Sequence, residues 1–484
     1  AYTDSLIGEF RQALEDRGLL ASSLVILTAD HGEGLGDHGE MSHGFFVYDS
    51  TIHVSLIVRP PAGAPGGRVE DSAVSHVDIF PTILDAVDLS APKRVHGQSL
   101  LPVIAGENIE TLRDVYSESL YPLLHYGWAP LRAIRTDKRK LISAPRPELF
   151  DVVADPREES DLSLEQPGLT TELEERLADL REKIESDAPA AGAAPDIDAA
   201  TLAQLQALGY AAGQGGFSLE EETDRPRADP KDKIKIHRTV MGAQSLIRED
   251  EEKAEKILLA VLRTDPDILD AHQMLGQLAT TQQRFEEALG HFRRALEIDP
   301  AHKNSLMGMA SSYRALGRSE EALVGYRRVL EVSGPDTRAS LAIADIEIQL
   351  KRYDAAALAL SDAAETTEVP GLIYNKLGEV RAEQGRSDEA MTLFAKAIDE
   401  KEDFALPHFN IAVLYEERGE LEPAIANYER AIDLAPKYCE AQFNLGHLVG
   451  YLGQVERQEQ VWEASLVSNA LFVQGSDWLS KVLW

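Results

Sequence analysis

Leu24-Val25-Ile26-Leu27 runs directly into Thr28–Gly44, TADHGEGLGDHGEMSHG. An unbroken apolar run followed by turn formers predicts a short buried strand from Leu24 to Ala29, of the kind found in α/β domains. It delivers the adjacent Asp30 and His31 into a loop carrying Gly32, Gly34, Gly36 and Gly39, and His38 and His43 lie within twelve residues of His31. A carboxylate and an imidazole side by side at a strand end suit a divalent metal. A turn in which Asp30 caps a helix would use the same residues. Four ligand-type residues on a glycine-rich backbone, which can wrap a ligand closely, favour binding.

Outward from this loop, Val54–Val58 predicts a second strand, stopped by Pro60-Pro61. Asp78–Leu84 predicts a helix start with Pro81 in its first turn. Lys140–Ser143 and Glu148–Val152 predict a hairpin around Ala144–Pro147. Thr171–Glu185 predicts an amphipathic helix presenting Leu173, Leu177, Leu180 and Ile184. Arg132, Arg135, Lys138, Arg139 and Lys140 form a basic run that reads as a solvated hairpin face. His125, before Gly127-Trp128, reads either as the mouth of an active site or as a surface loop aromatic. His76 carries no motif.

The 484 residues hold 82 Asp and Glu against 48 Lys and Arg, a net charge of −34. A nucleic-acid partner needs a basic footprint, so this balance argues against one. An anionic substrate must then be drawn in by local charge, most readily by metal and histidine. No apolar run approaches the ~18 residues of a membrane span. The single cysteine, Cys439, excludes an intrachain disulfide. Ala1 opens a helix-like pattern (Leu6, Ile7, Phe10, Ala13, Leu14) with no leader signature, which reads as a piece whose front portion lies upstream.

Residues 187–234, rich in Ala, Gly, Pro and acid, read as a linker with one short helical insert, Leu202–Leu208. From Lys235 the chain repeats every 34 residues, in seven rows starting at 235, 269, 303, 337, 371, 405 and 439. Column eight holds Gly242, Gly276, Ala310, Ala344, Gly378, Ala412 and Gly446. Column twenty holds Ala254, Ala288, Ala322, Ala356, Ala390 and Ala424, then Gln458. Column twenty-four holds Leu258, Phe292, Tyr326, Leu360, Phe394, Tyr428 and Trp462. Small residues let two helices approach, the large residue fills the gap between hairpins, and Pro266, Pro300 and Pro436 end second helices. The aromatic column reads as core rather than as a ligand stripe. This period and these columns resemble tetratricopeptide repeats, an all-α solenoid whose concave face implies a protein or peptide partner. The expected division is a catalytic α/β portion at 1–186, the linker at 187–234, seven repeats at 235–472 and a capping helix at 473–484.

ADHGEGLGDHG followed by HGFFVYDSTIHVSLIVRPP resembles the later block of sulfatases of the alkaline phosphatase superfamily. Val77–Leu84, His96–Pro102, Glu148–Asp151 with Asp155-Pro156 and Glu158, and Leu208-Gly209-Tyr210 resemble further family segments in order. The resemblance implies a doubly wound α/β domain with a small antiparallel sheet near its C-terminus. It implies that Asp30 and His31 ligate a catalytic divalent metal (Ca, Mg, Mn or Zn). His43 stands where many sulfatases place a sulfate-contacting lysine, a position often histidine in the branch that includes phosphoryl and phosphoethanolamine transferases. His38 would be a substrate contact or support the metal ligands. The implied substrate is an anionic sulfate or phosphate ester, and the implied location of a bacterial member is exported or periplasmic. The family's C-x-P-S-R or S-x-P-S-R nucleophile and its early Asp-Asp pair do not occur in these 484 residues. Three readings follow: a sulfatase-like hydrolase with a repeat module, inactive as this chain alone; a repeat scaffold with a vestigial catalytic part; or a phosphatase or phosphotransferase on the same fold.

Overall fold

In the computed structural model, which describes residues 2–61, 67–92, 94–107, 114–186, 226–364, 367 and 369–468, the apolar run forms β1, Val25–Thr28. It pairs antiparallel with β2, Leu56–Arg59, in the register Val25 to Arg59 through Thr28 to Leu56. This ribbon has two strands. With one neighbour each, the facing residues Leu27 and Ile57 stay 40% and 58% exposed. Among the described residues β1 pairs with β2 alone. The helix Tyr2–Asp16 contributes no buried residue. The short helix Ile79–Ala86 includes Pro81, as its sequence predicts.

The second sheet is an antiparallel meander of β3 (Val115–Ser119), β4 (Leu131–Arg135), β5 (Arg139–Ser143) and β6 (Glu148–Asp151), in that order. It supplies the small antiparallel sheet that the family resemblance implies; among the described residues every strand pair is antiparallel. Both faces of the meander are covered. Ile134, Leu141 and Leu149 pack on Leu173 and Leu177 of the helix Pro167–Ser186. Leu131, Ala133, Ile142 and Phe150 turn the other way, into a cluster with Phe45–Tyr48, Tyr126 and Trp128.

That second cluster continues into the first helical hairpin, Pro230–Leu246 and Glu251–Thr264, through Val240, Ala243, Leu258 and Val261. Asp229 and Asp250 cap these helices by accepting from Lys231 N–H and Lys253 N–H. The described residues divide into two compact units, one running up to Leu278 and one from Ala279 onward. The first hairpin thus shares a core with the meander. Most of the stretch read as a linker, its helical insert and the expected capping helix lie outside the described residues.

In the second unit, antiparallel helix pairs follow the repeat rows, from Lys303–Ala315 with Ser319–Ser333 to Cys439–Tyr451 with Val455–Ser468. The column-twenty alanines Ala288, Ala322, Ala356, Ala390 and Ala424 are completely buried, and the column-twenty-four rings of Phe292, Phe394 and Tyr428 are nearly so. A Cβ on Gly378 would fall 2.4 Å from the Phe394 ring, so the small residue is what seats the large one.

Candidate metal-binding loop

The loop from Asp30 to Tyr48 is folded by its own backbone. Gly32 N–H donates to Thr51 O at 2.8 Å, Gly34 N–H to Ser42 O at 2.7 Å, and Gly36 N–H to Glu40 O at 2.7 Å. Gly34 is required by space, since a Cβ there would meet Glu40 O at 2.6 Å. Gly36 is required by conformation, with φ at +100°. Glu40 is buried and its two carboxylate oxygens accept from Phe45 N–H at 2.8 Å and Phe46 N–H at 3.0 Å. Burial pushes the Glu40 carboxyl above its usual range, opposed by those two amides.

The loop's exit is fixed by charge. Lys140, fully buried, reaches Asp49 at 2.8 Å and Glu158 at 2.7 Å, and Arg135 also pairs with Asp49. Glu158 in turn accepts from Asp49 N–H at 2.6 Å. Burial raises the Asp49 carboxyl, but Lys140 and Arg135 outweigh it and hold it below its ordinary range. The basic run is accordingly not a solvated face: Arg132 and Lys140 point inward, where carboxylates meet Lys140, and sequence alone cannot show that pairing. Ser119 Oγ–H, from β3, donates to Gly44 O at 2.6 Å and anchors the loop to the sheet.

On the rim, Asp30, His31, Glu33 and His43 converge. Asp30 Oδ1 accepts from His31 N–H at 3.0 Å, and backbone hydrogen bonds hold its carboxyl below the usual range. His31 Nδ1 lies 2.8 Å from Gly32 O. A carbonyl only accepts, so Nδ1 carries a proton and Nε2 points the other way, toward Asp30. Asp30 Oδ2 lies 3.5 Å from that Nε2. The His31 and His43 rings stack with centroids 3.6 Å apart, and His43 Nδ1 lies 3.2 Å from Glu33 Oε2. Ligand atoms of His31, Glu33 and His43 all fall within 4.8 Å of one another. These donors fit a divalent cation. Sequence reasoning passed over Glu33, although it stands between two of the loop's glycines. His76, which carries no motif, donates from Nε2 to Ala29 O at 2.9 Å and steadies the residue before Asp30.

His38 is not brought to this rim. At φ +50°, its Nε2 donates to Arg157 O at 3.0 Å and its ring stacks on Tyr48 at 3.5 Å. It lines a separate cavity of about 440 Å³ with Asp37, Tyr48, Glu148 and Glu158. Tyr48 O–H donates to Glu148 at 2.7 Å, and burial raises the Glu148 carboxyl.

His125 and Trp128 are not surface-loop aromatics: Trp128 is buried and both meet acids of the helical hairpins. His125 pairs with Asp270 at 3.1 Å, and Trp128 Nε1–H donates to Asp265 at 3.3 Å. Beside them Tyr126 O–H donates to His237 Nδ1 at 2.8 Å, and His237 stacks on Phe45 at 4.3 Å. Burial lowers the His237 imidazole to about 4. The loop's inner end is thus packed on the first repeat.

The family profile described as N-sulphoglucosamine sulphohydrolase, C-terminal, matches residues 36–183. Tetratricopeptide profiles match residues 269–302, 307–373, 372–404 and 415–453. Arylsulfatase K of Bos taurus is 32% identical over 193 residues, covering 37% of this chain and 34% of that protein. The uncharacterized sulfatase YidJ of Escherichia coli is also 32% identical over 193 residues, covering 38% and 37%. The chain spans about a third of the length of these curated relatives. A tetratricopeptide repeat protein from Parabacteroides merdae covers 48% of this chain and 98% of its own at 21% identity and a TM-score of 0.41. MamA covers 34% and 97% at 22% identity and a TM-score of 0.32. Residues 36–183 thus match a sulfatase C-terminal domain, and helical hairpins between residues 269 and 453 match tetratricopeptide repeats.

Proposed function

We propose that this chain is the metal-loop portion of a sulfuric ester hydrolase joined to a protein-binding repeat module. Catalytic residues occupy 1–186, and seven repeats over 235–472 offer a concave face to a protein or peptide. The observation that carries this reading is the convergence of Asp30, His31 and His43 on one rim. Asp30 and His31 ligate a divalent cation. When bound, that ion supplies a Lewis acid that stabilises charge on the ester's equatorial oxygens. His31 is held by Gly32 O, which turns Nε2 toward Asp30. His43 contacts the anion and is placed to protonate a leaving oxygen. His38, tied to Arg157 O, acts through the loop it braces or on a remote part of the substrate. A phosphate ester is the second reading, favoured by histidine rather than lysine at position 43.

The nucleophile motif is not among these residues, so the 484-residue chain alone is expected to turn over neither an aryl sulfate nor an aryl phosphate. It is expected to bind a divalent ion, and Asp30→Ala to weaken that binding. Burst kinetics with either ester would refute the first expectation. Unchanged binding in Asp30→Ala would refute the ligand assignment and favour a scaffold with a vestigial loop.

A further inference from the structure

We propose that the first helices of the repeats bind an extended peptide with segregated charge, an acidic side chain lying against Arg314 and Arg338 and a basic one, a few residues along, against Glu383 and Glu417. This rests on the reading of the repeats as a protein-binding module and names the chemistry of the partner they take.

Two cavities adjoin along these helices, both within the unit that begins at Ala279. The first, of about 570 Å³, is lined by Arg314 of the helix Lys303–Ala315, by Arg338 of the helix Thr337–Gln349, and by apolar groups such as Met307 and Phe285. Among the described residues no carboxylate lines it. The second, of about 620 Å³, shares Arg314 with the first and passes over the half-buried Ile348 and Val413 to Glu383 and Glu417.

The charge between the two ends is already spent. Lys376 reaches Glu379 at 2.7 Å and Asp345 at 3.1 Å, so the groove neutralises it. Glu383 accepts from Tyr353 O–H at 3.5 Å, and among the described residues neither it nor Glu417 has a cation within ion-pair distance. At the other end Arg314 is 48% exposed and 3.8 Å from Asp345, the outer limit of an ion pair. Arg338 is exposed and makes no ion pair among the described residues. Other arginines of the repeats are committed. Arg318 holds Glu286 at 2.8 Å, Arg352 holds Glu320 at 2.5 Å and Arg418 holds Asp388 at 2.7 Å, each tying one repeat to the next. In a chain of 82 acids and 48 bases, two guanidinium groups at a cavity without a lining carboxylate are the exception, and a ligand carboxylate completes them with paired, charge-assisted hydrogen bonds. Glu383 and Glu417 offer the converse to a lysine or arginine, and such complementary potentials fix the register of a partner. The helix Thr337–Gln349 touches Pro370–Glu383, which touches Ala405–Glu417. Packed helices stand about 8–10 Å apart, so one or two such steps match about three to six residues of extended chain.

The test is fluorescence anisotropy of the 484-residue chain with labelled, end-blocked peptides carrying a Glu pair and a Lys pair about five residues apart, with Thr and Leu between, in both chain orders. One order is expected to bind at least about tenfold tighter than all-Glu, all-Lys and charge-scrambled peptides of equal length, and to weaken as salt rises. Arg314→Glu and Arg338→Glu are each expected to weaken it about tenfold, and Glu417→Lys about threefold. The all-Lys peptide should gain affinity for Arg338→Glu, a reversal that a structural effect would not produce. Arg328→Glu, at an exposed arginine of the second helix Ser319–Ser333, is expected to bind like the parent, and circular dichroism checks folding of each variant. The inference is overturned if scrambled or single-sign peptides bind as tightly as the segregated one, if Arg314→Glu and Arg338→Glu bind like the parent, or if no peptide binds. Peptides bound without regard to charge order would leave the protein-binding reading standing and sink this inference alone. No binding at any charge would sink both.

Discussion

The rim and the root of one loop differ in nearly every physical respect. At the rim, Asp30, His31, Glu33 and His43 are between about a third and two thirds exposed. At the root, Glu40, Phe45–Tyr48 and Thr51 are buried, and Asp49 is largely so, held by Lys140, the sheet and the first repeat. The contrast teaches that groups free to meet a ligand contribute little to holding themselves in place. Their geometry is set by a buried anchor that never touches the ligand.

Breaking the anchor should therefore have the largest effect. Lys140→Met leaves Asp49 and Glu158 as buried carboxylates without their ammonium partner, a loss of about 3–5 kcal/mol. Hydrogen exchange across residues 45–49 should then approach that of an open loop; native-like protection would contradict the anchor's role.

The repeat joint comes next. His237 titrates at about 4 when folded, against an ordinary value of 6.5. The unfolded chain thus binds the proton more tightly, and the stability from burying a neutral imidazole is complete above pH ~6.5. It is lost as pH falls from 6.5 towards 4, by at most about 3 kcal/mol. His237→Gln should flatten thermal stability across that window, and an unchanged pH profile would refute the assignment.

Glu40→Gln sits between root and rim. It replaces a charged acceptor of two amides by an amide that accepts one, at about 1.5–3 kcal/mol. Exchange at Phe45 and Phe46 should accelerate while the repeat helices stay protected.

At the rim, Glu33→Ala should move stability by less than about 0.5 kcal/mol. A large drop in melting temperature there would erase the distinction between the two ends.

The repeats were fully legible in sequence because a 34-residue period leaves few alternatives, and the alanine and ring columns fall in the core as packing requires. The strand, the glycine loop and its ligand-type residues were legible too, being local. What was hidden is long-range. β3 and β4 lack a clean alternation: Leu131–Ile134 is buried on both faces, which erases the period-two signal. Lys140 read as solvated because its partners stand far off in sequence at Asp49 and Glu158. The low-complexity stretch suggested a break, yet the first repeat shares its core with the sheet, through partners such as Phe45 and His237 that no local pattern links. The opposite directions of His38 and His43 depend on a left-handed residue at 38, which the neighbouring glycines permit but do not announce.

His31→Ala tests most directly whether the rim binds a cation that the root alone positions. Calorimetric titration of the 484-residue variant with a divalent ion should show binding abolished, while the melting temperature stays within a few degrees of the parent. An ion that still binds with parental affinity would contradict it.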